Sequence, residues 1–157
     1  MGQEIERKFL VREDAWKASE GTKIRQGYLR NEIEGTVRVR IKGERGFLTI
    51  KGRSKGISRL EFEYEIPVTD AIQILDELCV KPLIKKVRYE VGFGGFTWEI
   101  DEFLGENVGL VVAEIELEEE GQAFPRPDWL GKEVSGDYRY HNASLVRYPY
   151  RMWKEAG

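Results

Sequence analysis

Apolar and charged residues alternate with a period of two along most of the chain, and this alternation predicts β-strands. The clearest runs are GTVRVRIKG at 35–43, RLEFEYEI at 59–66 and VVAEIELEE at 111–119. Successive side chains of a strand point to opposite faces, so each run carries its charges on one face and its apolar residues on the other. Glycine-containing turns at 43–46 and 92–96 separate neighbouring runs. Short turns of this kind favour antiparallel pairing.

Five further segments show the same alternation, which brings the number of predicted strands to eight. They are EIERKFLV at 4–11, KIRQGYLR at 23–30, GFLTIKGR at 46–53, KKVRYEV at 85–91 and FTWEID at 96–101. The chain shows no internal repeat and no linker, so residues 1–157 are expected to form a single domain.

Two segments have the apolar period of a helix instead. The first, at 69–80, begins with Thr69 and Asp70 as candidate caps. Its expected buried stripe consists of Ile72, Leu75, Leu78 and Cys79. The second, at 142–147, is short and is expected to end before Pro149. The segment 121–140 has no clear period and is expected to be a loop.

The charged faces of the predicted strands are sorted by sign. Acidic faces carry Glu61, Glu63, Glu65, Glu114, Glu116 and Glu118, and basic faces carry Arg38, Arg40, Lys42, Lys51 and Arg53. A half-buried sheet that faces water explains each strand by itself, although such faces usually also contain neutral polar residues. Alternatively, about eight strands could close into a barrel with the charges inside.

A charged interior would need a ligand of matching charge. Two like charges about 4 Å apart repel by about 4 kcal/mol even at an effective dielectric constant near 20. Acidic strands would therefore require cations, and basic strands would require a polyanion. A metal-bound polyphosphate or an organic triphosphate meets both requirements.

The composition disfavours several classes of partner and site. Charged residues make up 34% of the 157 residues, but the net charge is only -3, which argues against a polybasic arm for nucleic acids. The single cysteine, Cys79, and the single histidine, His141, do not provide an intrachain disulfide or a thiolate zinc site.

The N-terminal residues are charged, unlike a secretion signal, and no apolar run approaches the roughly 20 residues of a membrane span. We therefore expect a soluble cytoplasmic protein without nucleic-acid or membrane partners. The sequence is compatible with a homodimer but does not show the oligomeric state.

The charged strands resemble those of the CYTH superfamily, the triphosphate tunnel metalloenzymes. Glu4, Glu6 and Lys8 match the ExExK motif of the first strand in that superfamily. Companion motifs follow in the family's order from Glu4 to about Leu145: RVR at 38–40, TIK at 49–51, LEFEYE at 60–65, KVR at 86–88, WEIDEF at 98–103 and AEIEL at 113–117. The short chain and RQGYL at 25–29 are most similar to the small bacterial branch, which hydrolyses inorganic tripolyphosphate.

The resemblance implies a mainly β fold of the α+β class. We expect a closed eight-stranded antiparallel β-barrel that forms a tunnel with a charged interior, with helices packed outside. A triphosphate, the expected small-molecule partner, would lie lengthwise in this tunnel with Mg²⁺ or Mn²⁺ and would be hydrolysed to diphosphate and phosphate. The late motif RYHNASL retains Tyr140 and Asn142 of the branch. His141 between them is expected to make only a surface or loop contact.

The resemblance also implies which residues bind metal and phosphate. Carboxylate oxygens suit hard divalent cations, and arginine and lysine suit phosphate. The expected metal ligands are Glu4, Glu6, Glu99, Asp101, Glu114 and Glu116. The expected phosphate-binding residues are Lys8, Arg38, Arg40, Lys51, Arg53, Lys86 and Arg88. Simple exposure to solvent is the alternative for Arg53.

Four residues are expected to take part in the chemistry: Lys8, Tyr28, Glu61 and Glu63. By the resemblance, Lys8 would pair with Tyr28 and would either help to stabilise the leaving group or lower the pKa of Tyr28. Glu61 and Glu63 would bind a second metal ion or orient the attacking water. Packing in the barrel wall is the alternative for Tyr28, and salt bridges to basic tunnel residues are the alternative for Glu61 and Glu63.

Three functions are compatible with these residues. The first is an inorganic triphosphatase. The second is hydrolysis of a nucleoside or thiamine triphosphate, or cyclisation of ATP as in the adenylyl cyclase branch, and the absence of an obvious base-reading segment disfavours it. The third is a polyphosphate-binding module without catalysis. The acidic strands argue against that module, because binding of a polyanion alone requires only the bases.

Overall fold

The computed structural model describes residues 2–18 and 20–153, which form mainly β-structure. The strands are β1 (Gln3–Val11), β2 (Gly21–Glu32), β3 (Gly35–Lys42), β4 (Arg45–Gly52), β5 (Ser58–Ile66), β6 (Ile84–Phe93), β7 (Phe96–Phe103), β8 (Val111–Glu116) and β9 (Leu130–Glu133). The helices are α1 (Val68–Glu77) and α2 (Asn142–Arg147), and short 3₁₀ helices cover Ala15–Ala18, Gly105–Asn107, Tyr138–Tyr140 and Tyr150–Met152. Within this part of the chain, no helix is long and apolar enough to cross a membrane.

Eight of the described strands, β1 to β8, close into a ring in which all neighbours are antiparallel. The order around the ring is β1-β5-β4-β3-β2-β6-β7-β8, and β8 pairs again with β1. Closure depends on β1, which pairs on both sides. Its residues 3–5 lie opposite residues 58–60 of β5, whereas residues 6–10 lie opposite residues 112–116 of β8. The ring confirms the predicted closed antiparallel sheet.

A further strand, β9, lies in the segment that was predicted to be a loop. It is only four residues long and pairs with the end of β1 beside an irregularity between Phe9 and Val11. Leu130 is its one buried residue among the four. A strand this short shows no period in the sequence, and this is why the loop prediction was wrong there.

The main apolar core lies outside the ring, because the apolar residues that alternate with the charges point outward. One cluster is covered by residues 124–130 and by Trp16, and its buried strand residues are Phe9, Trp98, Ile100, Ala113 and Ile115. Trp98 is fully buried, and its ring meets those of Phe9, Phe124 and Trp129 edge-on, with centroids 5.5–5.7 Å apart. A second cluster packs Val39 and Ile41 of β3 against α1.

Truncation of Trp98 should cost more stability than any substitution on the outer surface. Trp98→Ala is expected to lower the free energy of unfolding by about 3–5 kcal/mol, because it leaves a cavity among three aromatic rings. Trp98→Phe should cost less, since it keeps a ring and removes a buried indole N–H that has no hydrogen-bond partner among the described residues. Urea unfolding measures both changes. Tyr64→Ala, at a side chain that is 57% exposed, is the control and should change stability by at most about 0.5 kcal/mol.

Helix α1 differs from its prediction at both ends. It starts after Pro67, and its start has no side-chain cap, so the predicted caps Thr69 and Asp70 were wrong. The buried residues of α1 are Ala71 and Leu75, followed by Cys79 beyond its end. Of the predicted stripe, Ile72 and Leu78 are exposed. Ile72 is one residue, or about 100°, away from the Ala71 face, and Leu78 lies beyond the last helical residue, Glu77.

Helix α2 spans 142–147 as predicted and closes one end of the ring. Its Leu145 and Val146 pack against Ile84, Phe103 and Val112. These three strand residues share the inward face with the charged positions Lys86, Asp101 and Glu114. The ring interior is therefore apolar at the α2 end and charged further along.

Candidate active site

The ring encloses a charged cavity of about 270 Å³. Most of the predicted site residues line it: Glu4, Glu6, Lys8, Tyr28, Arg38, Arg40, Lys51, Glu61, Glu63, Lys86, Arg88, Glu99, Glu114 and Glu116. The inward-pointing positions of a closed sheet bring together residues that are far apart in sequence. The structure therefore gathers fourteen of the sixteen predicted positions around one space; Arg53 and Asp101 do not line it.

One wall of the cavity is acidic because β1, β7 and β8 are neighbours in the ring. Glu6 lies opposite Glu116, Lys8 lies opposite Glu114, and Glu114 also lies opposite Glu99. Glu6 is half-buried beside Glu114 and Glu4, and the pKa of its carboxyl is raised well above the usual range by desolvation and by these two charges. Glu6 and Glu116 have no basic side chain within 4 Å among the described residues.

This acidic wall fits a hard divalent cation by its donor chemistry. Carboxylates that face one another without basic partners are stabilised when a cation binds between them. The wall is not, however, arranged as a preformed site: among residues 2–18 and 20–153, no group of three or more His, Cys, Asp or Glu side chains is placed to hold a metal ion. Glu4 shows one reason, because it is drawn toward Lys51 at 3.0 Å and Arg59 at 3.5 Å.

The opposite wall is basic, and some of its cationic side chains lack carboxylate neighbours or hydrogen-bond acceptors. Arg40 has no carboxylate within 4 Å in the described part of the chain, and its Nε donates to the amide oxygen of Gln26 at 2.9 Å. Burial, with the charges of Arg38 and Arg88, lowers the pKa of Arg40 to about 9. The Nε of Arg38 is buried without a hydrogen-bond partner among the described residues, and its carboxylate neighbour Glu63 lies 3.9 Å away. An anion between these side chains would supply the missing acceptors.

Asp101 has a different position from the one predicted for a metal ligand. It is fully buried behind the cavity wall, where Arg88 donates to both carboxylate oxygens at 2.8 and 2.9 Å and Lys86 approaches at 2.8 Å. These cations outweigh the effect of burial and hold the pKa of Asp101 below its usual range. These three contacts hold Asp101 against Arg88 and Lys86, away from the cavity, and its role as a metal ligand stays a prediction.

Arg53 also lies away from the cavity. Strand β4 ends at Gly52, and Arg53 is exposed beyond that end. The alternation continues into Arg53 in the sequence, but the strand does not. The structure therefore places Arg53 in the exposed position that was the alternative, and a phosphate contact for Arg53 stays a prediction.

The predicted pair of Lys8 and Tyr28 is not formed. The Nζ of Lys8 lies 3.7 Å from Glu114, and no hydrogen bond joins Lys8 to the Tyr28 hydroxyl in the described structure. Tyr28 lines the cavity and also packs in the apolar cluster with Phe103 and Leu145. Wall packing, the alternative for Tyr28, is thus part of its role.

Glu61 and Glu63 adopt the salt-bridged alternative. Glu61 lies 3.3 Å from the Nζ of Lys51. Glu63 accepts from the Thr49 hydroxyl at 3.1 Å and lies 3.9 Å from Arg38. Both carboxylates therefore contact the cations that were predicted to bind phosphate.

Comparison with known proteins identifies the family. The CYTH domain model matches residues 2–150. The chain belongs to the CYTH family. An inorganic triphosphatase of Acetivibrio thermocellus is 57% identical over 156 residues, which cover 99% of this chain and all of that protein. An inorganic triphosphatase of Nitrosomonas europaea is 36% identical over 147 residues, or 91% of this chain and 96% of that protein.

A solved structure supports the same assignment. The crystal structure of an inorganic triphosphatase superposes with a TM-score of 0.66 at 33% identity and covers 91% of this chain and 93% of its own. Membership of the CYTH family implies a divalent metal ion, in agreement with the unpaired carboxylates of the acidic wall.

Several residues of this CYTH cavity were not among the predicted site residues. Arg59 contacts Glu4 and lies on the same face of β5 as Glu61, so the alternation contained a signal for it. His141 lies in the short loop before α2, within the expected surface or loop contact, but it also lines the cavity. Burial and the charges of Lys8 and Arg59 lower the pKa of His141 to about 4. Asn142 also lines the cavity, and the sequence pointed to it only through the late motif RYHNASL, without a role. Gln26 lies behind the lining, where it contacts Arg40 and Asn142, and charge patterning gave no signal for this neutral residue.

Proposed function

We propose that this protein hydrolyses inorganic triphosphate to diphosphate and orthophosphate, with Mg²⁺ or Mn²⁺ as the cation. The observation that carries the proposal is the pairing of an acidic wall and a basic wall around one cavity of about 270 Å³. The two curated relatives named inorganic triphosphatase support it, at 57% and 36% identity over nearly the whole chain. The reducing cytoplasm is the proposed location, in keeping with Cys79 as a buried free thiol.

In this proposal, the basic wall binds the phosphates. Arg38, Arg40, Lys51, Lys86 and Arg88 are fixed on strands, so their charges are already in place when the substrate arrives. Arg88 is held by two hydrogen bonds from its guanidinium to Asp101. Charge that is positioned in advance costs little reorganisation as negative charge moves to the leaving group. Lys8, beside Glu114, is proposed to donate a hydrogen bond to the leaving oxygen.

The acidic wall is proposed to hold the cation through Glu4, Glu6, Glu114 and Glu116, with Glu99 beside them. When bound, a divalent cation neutralises phosphate oxygens and polarises the phosphorus–oxygen bonds as a Lewis acid.

Glu61 and Glu63 are proposed to orient the attacking water. Phosphate binding to Lys51 and Arg38 would compete for the cations that now neutralise these two carboxylates. Each carboxylate would then become free to accept a proton from water. Tyr28 is proposed to offer its hydroxyl to the substrate from the cavity wall.

Parallel assays with several triphosphates test this function. Orthophosphate release should be measured from tripolyphosphate, ATP and thiamine triphosphate with Mg²⁺ or Mn²⁺, together with cyclic AMP formation from ATP. We expect tripolyphosphate to give the highest kcat/KM. Binding of tripolyphosphate without release of orthophosphate would indicate a binding module. A higher kcat/KM for ATP or thiamine triphosphate would indicate a different substrate within the family. Either outcome would refute the proposal.

A further inference from the structure

Gln26 is a fully buried polar residue on the inward face of β2, the strand that lies between β3 and β6. Its exposed fraction is 0%, and it lies directly opposite Arg40 of β3. Its amide oxygen accepts from Arg40 Nε at 2.9 Å, and its amide nitrogen donates to the Asn142 side-chain oxygen at 3.1 Å. A buried amide with both functions used in this way is held in one orientation.

Asn142 extends the same chain of hydrogen bonds to a second cation. It is the first residue of α2, and its side-chain oxygen also accepts from the Lys86 ammonium at 2.8 Å. The sequence of contacts is therefore Arg40, Gln26, Asn142, Lys86. Two neutral amides connect two buried cations that come from β3 and β6.

The cations determine how the two amides are oriented. Lysine and arginine can only donate hydrogen bonds, so each amide must turn its oxygen toward the cation that it meets. The amide nitrogen of Gln26 is then left to face the oxygen of Asn142, as observed. All the contacts are consistent only in this arrangement. Loss of the Gln26 amide removes the acceptor of Arg40 Nε, and loss of the Asn142 amide leaves Lys86 with Asp101 alone.

Gln26 and Asn142 form an uncharged hydrogen-bonded link between Arg40 and Lys86, which we call the amide bridge. Its lack of charge matters because the basic wall has to bind an anion. A carboxylate at Gln26 would hold Arg40 equally well but would neutralise it. An amide oxygen instead occupies Nε, leaves the positive charge in place and leaves the terminal nitrogens free to meet a ligand. Within the described residues, Arg40 indeed has no carboxylate within 4 Å. Lys86 is held from two sides, by Asn142 and by Asp101.

We infer that Gln26 and Asn142 are positioning residues, which orient Arg40 and Lys86 toward the phosphates without neutralising Arg40. The inference rests on the proposed function for its substrate, tripolyphosphate. Through Asn142, the bridge also connects α2, which closes one end of the ring, to Arg40 and Lys86 of the basic wall. Substrate should therefore bind most tightly when α2 is in place.

The primary test compares Gln26→Met with the wild-type protein. Methionine keeps the length of the side chain and removes both amide functions. We expect KM for tripolyphosphate to rise by roughly tenfold while kcat stays within about threefold, because the lost contacts orient groups that bind the ground state. Gln26→Glu should raise KM further, by about a hundredfold, because its carboxylate neutralises Arg40. Asn142→Ala should resemble Gln26→Met.

The matched control is Asn31→Ala. Asn31 also ties α2 to β2, by donating to the Ala143 carbonyl at 2.8 Å, but it contacts none of the four bridged groups. If the bridge acts by orienting cations, Asn31→Ala should leave KM within about twofold of the wild-type value. A rise in KM equal to that of Gln26→Met would show that loosening of α2 is sufficient, and this would overturn the inference.

Calorimetric titration with tripolyphosphate and Mg²⁺ separates this inference from the proposed function. Wild-type protein that binds but does not turn over would refute the triphosphatase proposal, and the Kd values of the variants would still test the bridge. Wild-type activity together with unchanged KM and Kd in Gln26→Met and Asn142→Ala would overturn the bridge alone. Thermal unfolding without substrate checks that each variant is folded. If Gln26→Met does not fold, the KM and Kd of Asn142→Ala are compared with the wild-type values instead.

Discussion

Glu6→Gln should make the metal-free protein more stable while it destroys activity. The half-buried Glu6 carboxyl lies beside Glu114 and Glu4 and has no basic partner within 4 Å among the described residues. Removal of its charge relieves repulsion, and we expect the free energy of unfolding to rise by about 1 kcal/mol in chelator. Hydrolysis should fall by about 10²–10³-fold, since the cation loses a ligand. Functional sites often trade stability for activity in this way.

Urea unfolding in EDTA and phosphate release with Mg²⁺ measure the two effects on the same variant. Glu65→Gln serves as the control, because Glu65 is an exposed carboxylate on the same strand as Glu61 and pairs only with Arg45, at 2.5 Å, in the described structure. Stability and activity of this variant should both stay close to the wild-type values. Loss of stability in Glu6→Gln, or retained activity, would contradict the assignment of Glu6 as a cation ligand.

Asp101→Asn should have the opposite effect on stability. Asp101 is fully buried and receives hydrogen bonds or ion pairs from Arg88 and Lys86 at 2.8–2.9 Å. Without its charge, two buried cations lose their partner, and breaking such a buried pair costs about 3–5 kcal/mol. Activity should fall as well, because Arg88 and Lys86 are no longer held in the basic wall.

The sign of the stability change separates the two kinds of carboxylate. A carboxylate without a basic partner, such as Glu6, should make the protein more stable in chelator when it is neutralised, whereas a carboxylate that pairs with buried cations should make it less stable. A gain of stability in Asp101→Asn would show that these ion pairs do not stabilise the fold and would contradict the position of Asp101 in the structure. Asp137→Asn, which removes an ion pair on the surface with Arg139, is the control and should cost less than about 1 kcal/mol.

The period of two in the sequence was sufficient to place the charges on one face and the apolar residues on the other. Phe9 and Trp98 are buried outside the ring, whereas Glu6 and Glu99 face the cavity, as the alternation requires. The closure of the sheet did not follow from this pattern. It depends on residues 3–5 of β1 pairing with β5, a contact between segments more than fifty residues apart.

The sequence also did not distinguish charges that meet the cavity from charges that support it. Glu99 and Asp101 have the same parity on β7, yet only Glu99 lines the cavity, because Arg88 and Lys86 hold Asp101 behind the wall. Gln26 was missed for a related reason, and Asn142 was noted only as part of the late motif, without a role. The importance of both residues comes from hydrogen bonds that they make across the ring, and no local pattern records those contacts.

A ³¹P NMR time course of tripolyphosphate with the purified protein tests the triphosphatase activity and its metal dependence together. With Mg²⁺, we expect tripolyphosphate to be converted to equal amounts of diphosphate and orthophosphate. Excess EDTA should stop the reaction, added Mg²⁺ should restart it, and Glu6→Gln should be slower by about 10²–10³-fold. Unchanged tripolyphosphate in the presence of Mg²⁺ and of Mn²⁺, or hydrolysis that continues in EDTA, would show that the protein is not a metal-dependent triphosphatase.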